Sequence, residues 1–285
     1  MTVSSRNWLA GTGRHAGRHQ EDEALARWRR EQRTDQVWRA VLPVLVFAGL
    51  AAAWQYASAY SGSVGGVLVP SFTQFAVAVG QVFTSGGFWS ALWTSESALL
   101  LGFAAAAVTG VPLGLLIGRR RDLDALVIPY LDMAVVVPLA ILTPMVLVIF
   151  GPTLAARVAI IFVFALPFVA VPCRAGAMVT PPELISMARS YGASALQVWR
   201  EVLLPSAVPA ILTGLRQGLA HALTGMIIIE LTFLAVGLGQ LLQEYQGKFD
   251  AAAVFGLVFL IIAQGVLLMA ALHAAESRFR RRTQT

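Results

Sequence analysis

Long apolar stretches dominate the chain. No charged residue occurs between Arg39 and Glu96, a stretch of 56 residues, or between Asp250 and Glu276, a stretch of 25. A helix needs about 20 predominantly apolar residues to cross a bilayer. The pattern predicts an all-α, polytopic membrane protein with six transmembrane helices, at about 41–60, 97–118, 127–150, 155–173, 207–235 and 251–273.

Residues 61–96 are also apolar, but six glycines and prolines interrupt them: Gly62, Gly65, Gly66, Pro70, Gly86 and Gly87. Such residues break regular structure. We therefore expect an external loop with one short helix near 72–84 and no seventh span.

The basic residues predict the orientation. Only 13% of the residues are charged, whereas soluble domains have about 25%. With six spans and a cytoplasmic N-terminus, 19 of the 21 basic residues fall in inner segments, leaving Arg157 and Lys248 outside. Positive charge concentrates on the cytoplasmic side of membrane proteins. We therefore expect both termini in the cytoplasm, with an N-terminal tail at 1–40, a transmembrane domain at 41–275 and a basic C-terminal tail at 276–285.

The N-terminal tail ends in a charged segment, 21–39, with a helical pattern around Leu25, Trp28 and Trp38. It can form a short amphipathic helix that touches anionic lipid headgroups. A loosely ordered tail is the equal alternative.

An inner loop at 176–206 connects the fourth and fifth predicted spans. Pro182 and Glu183 suit the first turn of a helix, and Gly192 suits a helix end. A second short helix is expected from about Ala195 to Leu203, stopping at Pro205. Two small cytoplasmic helices joined at a glycine are typical of a docking element for another protein.

This loop resembles the coupling loop of ATP-binding-cassette (ABC) importer permeases, whose signature is Glu-Ala-Ala, three residues, Gly, nine residues and Ile-x-Leu-Pro. The register here gives Ser186-Met187-Ala188, then Gly192, then Val202-Leu203-Leu204-Pro205. Ser186 and Met187 replace Glu and the first Ala, and Val202 replaces Ile. The residues predicted to couple to an ATPase are Glu183, Ser186, Met187, Ala188, Gly192, Ala193, Val202, Leu204 and Pro205.

Other stretches are similar to the branch of that family that serves nitrate, sulfonate, taurine and bicarbonate. They are the glycine-rich end of a span at 110–124, the proline-rich third span at 136–151 and the fifth span at 214–242, which closes on Gly-Leu-Gly. The chain departs from the branch at Ala98, where an arginine is expected, and at 70–72, where a second proline is usual. The resemblance implies a small anionic substrate, such as a sulfonate, nitrate or carboxylate.

The resemblance also implies the partners. They are a cytoplasmic ABC ATPase dimer that binds ATP and magnesium, a second permease copy or a homologous permease, and an extracytoplasmic binding protein, at the bacterial inner membrane. The chain's one lysine, Lys248, lies in Gly247-Lys248-Phe249 and forms no Gly-Lys-Ser/Thr phosphate loop. We expect no catalytic, cofactor or metal site in the chain and no nucleic-acid partner.

Several residues inside the spans are candidates for the pathway or its gate: Pro138, Thr143, Pro144, His221 and Glu230. A carboxylate at membrane depth costs roughly 2.5–3.5 kcal/mol on insertion scales, so Glu230 should face a cavity or the bundle interior. It can therefore line the pathway or fix helix packing. His221 can also line the pathway, or it can fix helix packing through an interhelical hydrogen bond.

Two other classes compete with the importer permease. A stand-alone secondary transporter is the main alternative, but it predicts inverted repeats, and the sequence shows no internal repeat. An intramembrane enzyme needs a local catalytic set. His221 and Glu230 are separated by about 13–14 Å of helix, too far to form one.

Overall fold

The computed structural model describes residues 69–283, together with residues 42, 46, 49–56 and 58. The chain divides into two units after Gly66. In the first, all the described residues are helical, and they fall within the first predicted span. The N-terminal helix at 21–39 lies outside the described residues.

The described part of the second unit is helical and contains no strand. Its helices are α1 (Phe72–Thr84), α2 (Gly86–Arg119), α3 (Arg121–Val136), α4 (Thr143–Phe150), α5 (Leu154–Val179), α6 (Pro182–Ser190), α7 (Ala195–Phe233), α8 (Gly237–Gly247) and α9 (Ala251–Thr283). Four of them, α2, α5, α7 and α9, are long and apolar enough to span a membrane. α3 and the segment Ala140–Phe150 form a fifth candidate, bent by 92°.

The short helix predicted near 72–84 is confirmed as α1. The loop around it is shorter than predicted, because α2 begins at Gly86 and not at residue 97. The side chain of Ser85 accepts a hydrogen bond from the amide of Phe88 at 3.2 Å. This cap satisfies one of the free amides at the start of α2 and lets the helix begin early.

The third predicted span is broken rather than continuous. Val137, which precedes Pro138, is extended (φ −72°, ψ 134°), and a 3-10 turn, Leu139–Leu142, follows. A proline disfavours helical geometry in the residue before it. Pro167 and Pro172, by contrast, lie inside α5, which is helical from Leu154 to Val179.

The second helix of the inner loop does not stop at Pro205. It opens as α-helix over Ala195–Gln197, widens into a π-helix over Val198–Leu203 and continues as α-helix to Ile228. The amide of Leu204 bonds the carbonyl of Trp199, five residues back. This wider turn precedes the proline, which has no amide to donate. The inner loop and the fifth span are therefore one helix, α7.

α5 packs between α2 and α7 at the centre of the unit. One core cluster joins the three helices through Leu99, Ile161, Ala165, Ala222 and Met226. Small residues bring the backbones together: a Cβ on Gly114 of α2 would lie 2.7 Å from the Cβ of Cys173 and closer still to the carbonyl oxygen of Ala170. Close approach through small residues is the usual way membrane helices pack.

A second core cluster holds α1, α8 and α9 together beside the start of α2. Its buried members are Val82, Phe88, Leu238, Leu242, Ala253 and Leu257. α9 continues as helix through Thr283, so residues 276–283 of the predicted tail are helical. α1 and α8 are thereby fixed at the end of α9 where Ala251 lies.

Candidate functional site

The inner loop ends α6 with a tight turn at Gly192. The amide of Gly192 bonds the carbonyl of Arg189 at 2.9 Å, and the amide of Ala193 bonds that of Ala188 at 3.0 Å. These two bonds form a Schellman motif, which places its central residue in the left-handed region. Gly192 has φ +82°, a conformation that glycine adopts without a Cβ penalty. The backbone requirement therefore explains the glycine at this position.

The loop has a small core of its own. Ile185 of α6 is buried against Val198 and Leu203 of the π-helical segment, and Trp199 and Val202 pack around them. α6 and the start of α7 are therefore braced against each other.

The loop also has an open apolar groove. Leu184, Met187 and Tyr191 are exposed there, the last at 87% of its surface. The groove has a volume of about 480 Å³. Its lining is Leu184, Met187, Ala188, Tyr191, Glu201, Val202, Pro205 and Ser206. Of the predicted coupling residues, Met187, Ala188, Val202 and Pro205 thus meet at one surface.

The other predicted coupling residues lie on α6 and around the loop without lining the groove. The hydroxyl of Ser186 donates to the carbonyl of Pro182 at 3.0 Å. Glu183 is exposed in the first turn of α6. Leu204 is exposed, and Ala193 packs against the loop's core.

Two contacts join α5 and α7 where the chain enters and leaves the loop. The hydroxyls of Thr180, at the end of α5, and Ser206, in α7, are 2.7 Å apart. Gly176 of α5 approaches Ala210 of α7 so closely that a Cβ on the glycine would overlap the methyl of Ala210. A displacement of the loop would therefore be transmitted to α5 and α7.

Glu230 lies at the far end of α7 and connects four helices. Its carboxylate is only 2% exposed. Ser95 of α2 donates to it at 2.6 Å, and the amide of Gly239 in α8 is 3.4 Å away. The guanidinium of Arg157, in the first turn of α5, lies 3.7 Å from the other carboxylate oxygen and donates to the carbonyl of Thr94 at 3.0 Å.

The same cluster caps α8. A helix start leaves four amides without partners, and Val236 provides no side-chain cap. The hydroxyl of Ser95 accepts from the amide of Leu238 at 3.0 Å, and Glu230 accepts from that of Gly239. A carboxylate at this end of a helix is also favoured by the helix dipole. Glu230 and Ser95 therefore act as a cap supplied by other helices.

The Gly-Leu-Gly sequence makes this approach possible. Gly237 has φ +57°, and a Cβ there would overlap the hydroxyl of Ser95. A Cβ on Gly239 would overlap the backbone of Glu230. Both glycines therefore let the start of α8 lie directly against Glu230.

The remaining pathway candidates are dispersed. Pro138 and Pro144 are exposed at the break between α3 and α4, whereas Thr143 is fully buried (0% exposed). The Thr143 hydroxyl has no hydrogen-bond partner among the described residues. His221 stacks on Phe168 of α5, with ring centroids 3.2 Å apart. The structure places neither Thr143 nor His221 with the Glu230 cluster.

Sequence reasoning missed the partners of Glu230. Ser95 carries no signal, because one serine in an apolar helix is unremarkable, and Arg157 counts only as an outer charge. It also missed the pair that joins α5 to α3, in which Arg174 donates twice to Asp124. In the described part of the chain, no His, Cys, Asp and Glu residues group as metal ligands.

The chain belongs to the family of binding-protein-dependent transport system inner membrane components, whose sequence model matches residues 110–281. Its curated relatives include permease proteins of ABC transporters, and its helical fold is that of the type I importer permeases.

Its relatives carry different names. It is 30% identical over 213 residues to the glycine betaine/proline betaine transport system permease protein ProW of Escherichia coli, a match that covers 73% of this chain and 59% of ProW. It is 30% identical over 199 residues to the taurine transport system permease protein TauC of the same species, covering 70% of this chain and 72% of TauC. A chain of the MetNI methionine ABC transporter, solved in an inward-facing conformation, has the same fold (TM-score 0.57, 24% identity, 69% of this chain and 95% of that chain covered).

Proposed function

We propose that the groove of the inner loop is the docking site for a cytoplasmic ABC ATPase. The observation that carries the proposal is the exposure of Leu184, Met187 and Tyr191 on a loop braced by its own core. Apolar and aromatic side chains that stand in a rigid frame are typical anchors of protein interfaces. In this proposal the partner ATPase binds ATP and magnesium, because the chain's one lysine, Lys248, forms no Gly-Lys-Ser/Thr phosphate loop.

The proposed cycle uses the loop's connection to the membrane helices. Closure of the two ATPase subunits would displace the loop, and the Thr180–Ser206 and Gly176–Ala210 contacts would carry the displacement into α5 and α7. The energy for switching comes from the different contacts that nucleotide-bound and nucleotide-free ATPases make with the loop.

The break between α3 and α4 indicates where the pathway runs. Val136 is 81% exposed there, next to the non-helical backbone of Val137 and Pro138. Non-helical backbone at membrane depth is tolerated only inside protein or beside water. We therefore place this break, with Pro138 and Pro144, along the pathway, facing a second permease copy or a homologous permease. Glu230, capping α8, serves packing in this arrangement.

The proposed substrate is a small solute with an anionic group, such as a sulfonate, nitrate or carboxylate. Its support is the branch resemblance and the similarity to TauC, a taurine permease by name. Another relative of 30% identity is named a riboflavin permease. We therefore expect an extracytoplasmic binding protein to select the solute. The proposed location of the chain is a bacterial inner membrane, with both termini in the cytoplasm. The stand-alone secondary transporter loses its support with the family assignment.

Co-purification tests the docking. With a C-terminal tag and mild detergent, the wild-type chain should retain an ABC ATPase in near-equal amount, identified by mass spectrometry. Met187→Asp places a charge in the groove and should lose the ATPase and solute uptake. Ser190→Asp adds the same charge to α6 outside the groove lining and should retain both. Equal retention by the two variants would contradict the docking site.

A further inference from the structure

The turn between α8 and α9 holds an aromatic side chain in an unfavourable backbone conformation. Phe249 has φ +53° and, among the described residues, is the only one other than glycine with a positive φ. Its side chain is 80% exposed. For a bulky residue this conformation is an outlier that the surrounding structure must enforce.

Two fixed helix ends enforce it. The amide of Phe249 bonds the carbonyl of Gln246 at 3.0 Å, and the amide of Asp250 bonds that of Tyr245 at 3.0 Å. Asp250 then caps α9 by accepting from the amide of Ala253 at 3.0 Å. The ring is therefore presented in one direction from a closed turn.

The turn at Gly192 is the natural comparison. Both turns are Schellman motifs, and both central residues have a positive φ with an exposed surface. The chain uses glycine in the first, as backbone preference dictates, and phenylalanine in the second. A residue that departs from the backbone preference of its turn, and gains no packing by doing so, indicates a role other than stabilising the fold.

The surroundings of the ring are polar. Gln243, Glu244, Gln246 and Lys248 are all exposed beside it. A cleft of about 460 Å³ opens next to the turn, between α1 and the ends of α8 and α9. Its polar lining consists of Thr73, Gln74, Gln81, Tyr245 and Asp250. Burial and the nearby carboxylates of Asp250 and Glu244 raise the pKa of Tyr245. An exposed aromatic side chain surrounded by hydrogen-bonding groups is typical of protein–protein interfaces, which are enriched in aromatic residues and have a polar rim.

The turn lies on the side of the membrane opposite the basic end of α9. Asp250 and Arg278 are separated by 28 positions, about 42 Å of helix at 1.5 Å per residue. The arginines that follow Ser277 belong on the cytoplasmic side. The turn therefore faces the exterior, where the binding protein on which this family depends is located.

We propose that Phe249 is the anchor on which the permease docks its extracytoplasmic binding protein. The ring enters an apolar recess of that protein, and the cleft beside the turn receives side chains from the same face. The proposal rests on the proposed function and on the orientation of the termini.

Photo-crosslinking in intact cells tests the docking of the binding protein and the docking of the ATPase separately. Benzoylphenylalanine replaces Phe249 in one variant and Tyr191, the exposed aromatic residue of the inner groove, in another. We expect an adduct with an ABC ATPase from position 191 and an adduct with an exported solute-binding protein from position 249, each identified by mass spectrometry. Lipid, a second permease copy or no protein at position 249, while 191 captures the ATPase, overturns the docking alone. Failure at 191 counts against the proposed function.

Affinity measurements then separate docking from a structural role. The captured binding protein is titrated onto the permease–ATPase complex in nanodiscs. Phe249→Ala and Phe249→Gly should each raise the Kd about tenfold or more, as for an interface anchor, and Phe249→Tyr should restore it. Phe249→Gly should also raise the melting temperature, because glycine suits the turn. An unchanged Kd in the glycine and alanine variants overturns the proposal.

Discussion

The hydroxyl of Ser95 donates to the carboxylate of Glu230 at 2.6 Å, although 135 positions separate them in the chain. The Ser95 hydroxyl oxygen also accepts a hydrogen bond from the amide of Leu238 at 3.0 Å. One hydroxyl thus joins α2, the end of α7 and the start of α8. Removing it would leave a buried carboxylate and a helix amide each with one partner fewer.

We expect Ser95→Ala to destabilise the protein by about 1–3 kcal/mol, the cost of unsatisfied buried polar groups. The measurement is the melting temperature of the purified permease. Ser90→Ala is the matched control on α2, because Ser90 is exposed and bonds only the carbonyl of Gly87 of its own helix. Equal melting temperatures for the two variants would contradict a structural role for Ser95.

A larger residue at Gly114 should disturb packing at the centre of the bundle. Gly114→Ala places a methyl group against Ala170 and Cys173 and should cost about 1–3 kcal/mol through overpacking. Gly80→Ala in α1 meets no atom within 4 Å and should stabilise by up to about 1 kcal/mol from helix propensity. Thermal unfolding of both variants measures the difference. A stable Gly114→Ala protein would mean that α2 and α5 can separate.

Gly192→Pro should abolish transport and leave membrane insertion intact. Proline fixes φ near −65° and removes the amide, whereas Gly192 has φ +82° and donates to Arg189. The change therefore opens the turn between α6 and α7 without touching a membrane helix. Solute uptake, normalised to permease in the membrane, is the measurement.

Gly192→Asn is the control for that variant, because asparagine tolerates the left-handed region better than other residues. It should keep most of the uptake. Normal uptake by Gly192→Pro would show that the turn is not needed for coupling.

Thr143→Val separates packing from a pathway role. The threonine hydroxyl is buried without a partner in the described part of the chain, so the loss of it should leave stability unchanged or raise it by about 1 kcal/mol. If Thr143 lines the pathway in another state, uptake should fall several-fold at unchanged melting temperature. Thr109→Val, which loses only a bond to its own helix at Ala105, should keep uptake. Unchanged uptake in both variants removes Thr143 from the pathway.

Helix ends show where sequence reasoning stops. Val137, the residue before Pro138, is extended, so α3 ends there. Pro167 and Pro172 lie inside α5 without ending it, and Pro205, where the sequence predicts a helix end, follows a π-helical turn inside α7. A proline determines only that one amide is missing, and its neighbours decide whether the helix bends.

The sequence by itself determined the membrane class, four of the apolar spans, the short helix α1 and the glycine turn of the inner loop. These follow from local properties: the length of an apolar run, the spacing of caps and the backbone freedom of glycine. The coupling-loop register came from a resemblance carried by Ala188, Gly192 and Pro205, and the coupling role of these residues stays a prediction.

Only the tertiary structure decided which groups meet. It brought Ser95, Arg157 and the start of α8 to Glu230, and it placed a phenylalanine where its turn favours glycine. Such contacts join residues far apart in the chain, and their energies depend on geometry that no local pattern encodes. The sequence shows that a buried carboxylate must have partners, and the packing of four helices selects them.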